Sequence, residues 1–220
     1  MKAYKRFVDW ARMLALFVAV FIADIALRSL EQAKESVCVS VVVIGIVAIL
    51  VMHLVELLAV TMIERWSWLR HRIVGDACIE GVWFDTVVNE DLYGIVNIQM
   101  TTDGIRIIGE QFDSKGTTTA TWEHYHTVLD GGTLRVIYRS PHFGGSTPTE
   151  VQGMAMYVFS GEPGRPPTYY NGFFVDTGYC EPRSCQLRGY RISDSSKLAR
   201  LREPHTKHQV VLELLRESRQ

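Results

Sequence analysis

The chain has 220 residues, 47% of them hydrophobic, and a formal net charge of −1. That charge excludes coating of a nucleic-acid polymer through bulk positive charge. The length suits one ordinary domain, but the long apolar runs fall almost entirely before residue 64, which excludes an even, purely globular distribution.

The first run, Met13 to Leu27, holds Asp24 and by itself reaches only about 22 Å at about 1.5 Å per residue. Phe7, Val8, Trp10 and Ala11 extend it to a span over about residues 7–27. Lys2, Lys5 and Arg6 before an apolar core also fit a signal peptide, although no small-residue cleavage site follows. The polar stretch RSLEQAKE leads directly into a second run and favours a two-helix hairpin instead.

From Val37 to Ile63 the clearly polar residues are Ser40, His53, Glu56 and Thr61, so residues 37–63 are long enough to cross about 30 Å of hydrocarbon. Lys2, Lys5, Arg6 and Arg12 precede the first span, and Arg65, Arg70 and Arg72 follow the second. This bias predicts that both termini are cytoplasmic, with Trp66 and Trp68 at the interface. Ionisable groups in a span face protein or water rather than lipid. His53 and Glu56 share one helix face, and Asp24 lies toward the opposite surface from Glu56. The expectation is a polar seam of Asp24, His53 and Glu56 satisfied between copies of a homo-oligomer in the lipid bilayer, or a protonated Glu56 in a quiet dimer.

Cys38 falls in the second span, Cys78 follows it, and Cys180 and Cys185 are spaced C-x4-C without a second ligand pair. In a reducing compartment this predicts neither a disulfide nor a metal site.

After about residue 76 the period becomes two. Eight strand-like runs follow: 79–87, 93–101, 104–112, 117–128, 133–140, 151–160, 169–177 and 185–192. Turn-forming pieces such as Asp103-Gly104, Ser114-Lys115-Gly116 and Asp130-Gly131-Gly132 separate them. Short links imply antiparallel neighbours, hence an up-and-down eight-stranded barrel; a sandwich is the alternative. In the fourth run Ala120, Trp122, His124 and His126 fall on one face, and in the fifth Leu134, Val136 and Tyr138 alternate with Arg135, Ile137 and Arg139. Thr206 and Gln209 have capping-box spacing, and Val210, Val211, Leu214 and Leu215 form the apolar stripe of a C-terminal helix.

The fold expected is a membrane-anchored all-β protein. Its parts are a hairpin over 1–66, a linker over 67–76, a lipocalin-like β-barrel over 77–193 and a helical segment over 194–220.

No phosphate-binding glycine loop, G-x-S-x-G elbow or H-E-x-x-H pair is present, which points away from an enzyme with catalytic residues of those kinds. His124 and His126 would offer two imidazoles to a metal on one strand face, or serve as ordinary strand histidines. Trp83, Trp122, Tyr138, Tyr157 and Tyr190, with Arg188 and Arg191 nearby on strands, offer stacking faces and guanidinium forks, although barrel aromatics also serve as plain core.

Two apolar spans, a basic juxtamembrane stretch and then IEGVWFD, GEQFDSKG, ATWEHY, YYNGFFVDTG and LRGYRI make the chain similar to the two-transmembrane β-barrel effector family of bacterial CBASS antiphage defence. The Gly-x-Trp of IEGVWFD itself resembles the first strand of lipocalin-like folds. What the resemblance implies is a bacterial inner-membrane effector whose cytosolic barrel binds a cyclic dinucleotide made by a CD-NTase, with no further cofactor. Occupancy would drive self-association of the hairpins and membrane damage. A membrane-tethered carrier of an apolar small molecule and a barrel enzyme using the His-Tyr-His strand are the other readings.

Overall fold

The computed structural model describes residues 2–33, 37–101, 103–142, 149–177 and 183–218. The chain divides into two compact units, Met1–Val74 and Gly75–Gln220.

In the first unit helices α1 (Lys2–Ala33) and α2 (Val37–Arg65) lie side by side, and α3 (Ser67–Val74) follows. Among the described residues one helical stretch, Gly45–Arg65, is long and apolar enough to cross a bilayer. Helix α1 carries Asp9, Arg12, Asp24 and Arg28 and is not of that kind, so the expected pair of spans has one helix of clear spanning character. It also runs past the predicted end at residue 27, because Arg28 to Ala33 contain no glycine or proline to stop it. Lys34 and Glu35 of the expected turn lie outside the described residues.

Small side chains let the two helices approach. Ala15 and Ala19, one turn apart on α1, are buried together with Ala59 and Ile63 of α2, while Phe17, Phe21, Leu50 and Leu57 stay exposed. Glu56 pairs with Arg12 of α1 inside this unit, and Asp24 pairs with Arg28 one turn on, at 2.8 Å. Glu56 is therefore paired within one chain, while His53 stands exposed on the same helix. The expected linker is itself mostly helical: Arg70 Nη1 donates to the carbonyls of Ile63 (2.7 Å) and Glu64 (2.6 Å), capping the C-terminus of α2.

The second unit is an up-and-down barrel of β1 (Gly81–Val87), β2 (Leu92–Met100), β3 (Ile105–Asp113), β4 (Thr118–Asp130), β5 (Thr133–His142), β6 (Thr149–Ser160), β7 (Tyr169–Asp176) and β8 (Arg183–Arg191). Each strand is antiparallel to its neighbours, and β1 pairs with β8 to close the sheet, which rules out the sandwich. Alternation fixes the two faces: Trp83, Asp85 and Val87 point inward, whereas Phe84 points out.

Two irregularities fall on β4. The register shifts opposite Gln111 and Phe112, and again between His124 and His126. The second shift leaves Tyr125 bulged and exposed, and puts His124 opposite inward Tyr138 but His126 opposite outward Ile137. The two imidazoles expected on one face are therefore on opposite faces.

Helices α4 (Ser195–Arg202) and α5 (Pro204–Ser218) cover the outer face of β1 to β3. Val210, Val211, Leu214 and Leu215 bury against Phe84, Tyr93, Ile95 and Phe112, as the apolar stripe predicts. Asp194 caps α4 by accepting from the Ser196 and Lys197 N–H groups at 2.8 and 3.3 Å. Thr206 is not the expected cap: Pro204 opens α5, and the Thr206 hydroxyl donates back to the Arg200 carbonyl at 2.6 Å.

One end of the barrel is filled. Trp83 meets Phe159 and Tyr170 at ring distances of 5.0 and 5.4 Å, its indole N–H donates to the Ile79 carbonyl at 3.0 Å, and Ile98, Ile107 and Leu134 are fully buried. The Arg191 guanidinium lies 4.9 Å from the Trp83 ring and donates to the Cys78 carbonyl at 2.7 Å. The Asp130-Gly131-Gly132 turn belongs to this end, with both glycines at positive φ (53° and 79°), as a tight hairpin requires.

Candidate functional site

Toward the opposite end, where turns 88–91 and 114–117 lie, the interior opens into a cavity of about 60 Å³. Trp122, Tyr138, Tyr157 and Phe174 supply its aromatic wall, and Asp85, Asp176, Gln111 and Ser140 its polar groups. Such a volume holds a few waters. A nucleotide needs several times more, so occupancy requires side chains to move.

Glycines on neighbouring strands give these side chains their seats. A Cβ on Gly109 would stand 2.1 Å from the Trp122 indole, one on Gly94 2.0 Å from Asp85 Oδ1, one on Gly153 2.4 Å from the Tyr138 ring, and one on Gly189 2.4 Å from Tyr170. The register pairs Gly109 with Trp122, Gly94 with Asp85 and Gly153 with Tyr138, so each bulky group lies flat on the strand beside it.

Two phenol–carboxylate pairs lock the lining. Tyr138 donates to Asp176 Oδ1 at 2.5 Å, and Tyr170 donates to Asp85 Oδ2 at 2.6 Å. Burial pushes the Asp85 carboxyl up to about 6, against the opposing pull of the Tyr170 hydroxyl and the Gly94 N–H. Burial likewise raises Tyr157 and Tyr170 well above the ordinary phenol range, helped by the negative charge of Asp85. Tyr138 rises for the same first reason, and its bond to Asp176 adds to the shift. The phenols therefore act as neutral donors, and each carboxylate acts as an acceptor without a cation among the described cavity-lining side chains.

The sequence-predicted residues divide between three places. Trp122, Tyr138 and Tyr157 come together on the cavity, with Trp122 and Tyr138 rings 5.5 Å apart. Trp83 and Arg191 form the filled end instead. Arg188 and Tyr190 point outward: Arg188 is exposed, and Tyr190 packs on Phe84 at 5.4 Å near α5, where burial pushes its hydroxyl up to about 12. Arg106, Arg135 and Arg139 are also outside, Arg139 lying 4.6 Å over the bulged Tyr125 ring. Asp85, Asp176 and Gln111 were not anticipated, because an acid or amide in an alternating strand reads as solvent-facing. Glycines in mid-strand were the available signal that something bulky lies across from them.

The loop near residue 144 lies outside the described residues, and the loop near 164 joins β6 to β7 at the filled end. Cys180 also lies outside the described residues, while Cys78 and Cys185 are buried and form no disulfide among the described residues. Among the described residues no group of three or more His, Cys, Asp or Glu side chains is placed to hold a metal ion. No protein-family model, no curated protein and no solved structure matches the chain.

Proposed function

We propose that the chain is a membrane-anchored receptor and effector, in which the open end of the barrel takes a cyclic dinucleotide and the helices of the first unit act on the bilayer. The observation that carries this reading is the division of the barrel interior into a filled end and an aromatic, hydrogen-bonding cavity that opens at the other end. A closed wall without free edges is a rigid frame for such a site.

The cavity's charge dictates how such a ligand would sit. Two carboxylates, with no cation among the described lining side chains, repel a phosphodiester, so a base enters first, against Trp122 and Tyr138, while the phosphates stay at the rim. Lys115 stands exposed in the turn at that end, which brings positive charge to the rim. The phosphate contacts are thereby assigned away from Arg188. An apolar cargo fits less well, because it would strand the buried Asp85 and Asp176 carboxylates against hydrocarbon.

In the bilayer, α2 supplies one span and α1 the second, with both termini cytoplasmic in a bacterial inner membrane. The exposed Leu and Phe side chains of both helices suit lipid or a second copy, and a homo-oligomer formed on ligand binding is the damaging state. The test is calorimetric titration of the full chain in nanodiscs with a panel of cyclic dinucleotides, paired with dye release from vesicles carrying the protein. Micromolar binding together with ligand-dependent release is expected. Absence of binding to every member of the panel overturns the receptor reading.

A further inference from the structure

The two carboxylates of the cavity are not equivalent. Asp85 takes the Tyr170 hydroxyl and the Gly94 N–H, and a Gly94 Cβ would collide with it, so it is held against the wall. Asp176 lies at the open end of β7, is only 8% exposed, and takes a single hydrogen bond among the described residues, from Tyr138 through Oδ1. An ionised carboxylate has about four acceptor positions, and among the described residues one of those of Asp176 is taken, which leaves acceptors where an incoming base would stack.

We infer that Asp176 reads the base by accepting two adjacent N–H donors, which selects guanine among the common bases. The inference rests on the receptor reading above. Guanine alone presents an imino N–H beside an amino group on one edge; adenine and cytosine pair a donor with an acceptor there, and uracil places a single N–H between two carbonyls. Gln111, on the same cavity, has an amide N–H to offer the adjacent guanine carbonyl oxygen. A carboxylate facing adenine or uracil would instead meet a ring nitrogen or carbonyl acceptor and lose part of its hydration without replacement. The Trp122 and Tyr138 rings, 5.5 Å apart, are the stacking surfaces beside that edge, and the half-buried Trp122 is the ring that moves to admit the base.

The test compares cyclic di-GMP, cyclic di-AMP, a uracil–adenine cyclic dinucleotide and cyclic di-IMP, which lacks the 2-amino group, on the full chain in nanodiscs. Cyclic di-GMP is expected to bind about tenfold or more tightly than the other three, the usual value of a good bidentate base contact. Asp176→Asn, whose amide offers a donor and an acceptor, is expected to erase that preference and to gain affinity for cyclic di-AMP. Asn still accepts from Tyr138, and thermal melting checks that it folds. Should it not fold, Tyr138→Phe, which leaves the carboxylate in place, is expected to keep the guanine preference. Binding of the adenine or uracil ligands as tight as that of cyclic di-GMP overturns the base assignment and leaves the receptor intact. No binding by any of the four removes both.

Discussion

The two ends of the barrel interior are built from the same kinds of ring and do opposite work. At the filled end the Trp83, Phe159 and Tyr170 rings pack against one another over aliphatic side chains, and the Trp83 indole N–H and one Arg191 Nη find backbone carbonyls. At the open end Trp122, Tyr138 and Tyr157 surround carboxylates, an amide and a hydroxyl, with space left over. The difference is not aromatic content but where polar capacity is used up. Only the end that keeps unused acceptors has something to offer a ligand.

The largest expected effect breaks the filled end. Trp83→Ala deletes a fully buried indole and its bond to Ile79, at a cost of about 3–5 kcal/mol of stability by denaturant titration. A loss below about 1 kcal/mol would mean that the filled end is not the stability core.

Next comes Asp85→Asn. The folded protein holds a proton on Asp85 up to about pH 6, above the ordinary carboxyl range, so its contribution is fully favourable below about pH 4 and is lost as pH rises through about 6. The ionised form at neutral pH therefore carries a penalty of about 3 kcal/mol. Thermal melts across this window are expected to show stability falling with rising pH in the parent and a flatter profile in the variant. The variant is expected to be at least as stable as the parent at pH 7.5. Identical profiles would place Asp85 in contact with water and erase the contrast between the two ends.

The smallest effect sharpens the comparison from outside. Arg188→Ala is expected to change stability by less than about 0.5 kcal/mol, because the side chain is exposed on the outer wall. Cyclic-dinucleotide affinity measured by calorimetry is expected to be unchanged. A clear loss of affinity would move the ligand to the outer groove beside Asn171 and Gln186.

Much of the barrel was legible because turn chemistry and period two are local properties. All eight strands fall within a few residues of the runs read from sequence, and the α5 stripe faces the wall as its spacing requires. Arg188, Tyr190 and Arg191 could never share a face, since residues of opposite parity on a regular strand point in opposite directions. Parity failed for a different reason on β4, where the bulge at Tyr125 shifts every later residue by one and no side chain in HYHT announces it. Depth along the two helices separates Asp24 from Glu56 but leaves Arg12, nearer the start of α1, as the cation within reach of Glu56. Asp85 is not legible because its place against the wall depends on Gly94 of the adjacent strand, a relation that appears only once register is known.

Those glycine seats have a consequence for how the protein would acquire a new preference. Pocket shape is held partly by atoms the wall lacks, so a single methyl group added behind a ring reshapes the binding surface without altering any side chain that a ligand would touch. Gly109 is the most direct case: an alanine there collides with the Trp122 indole and forces it off its seat. A directed-evolution library confined to contact residues would miss such variants, whereas one that samples the partners behind them would reach new specificities in single steps.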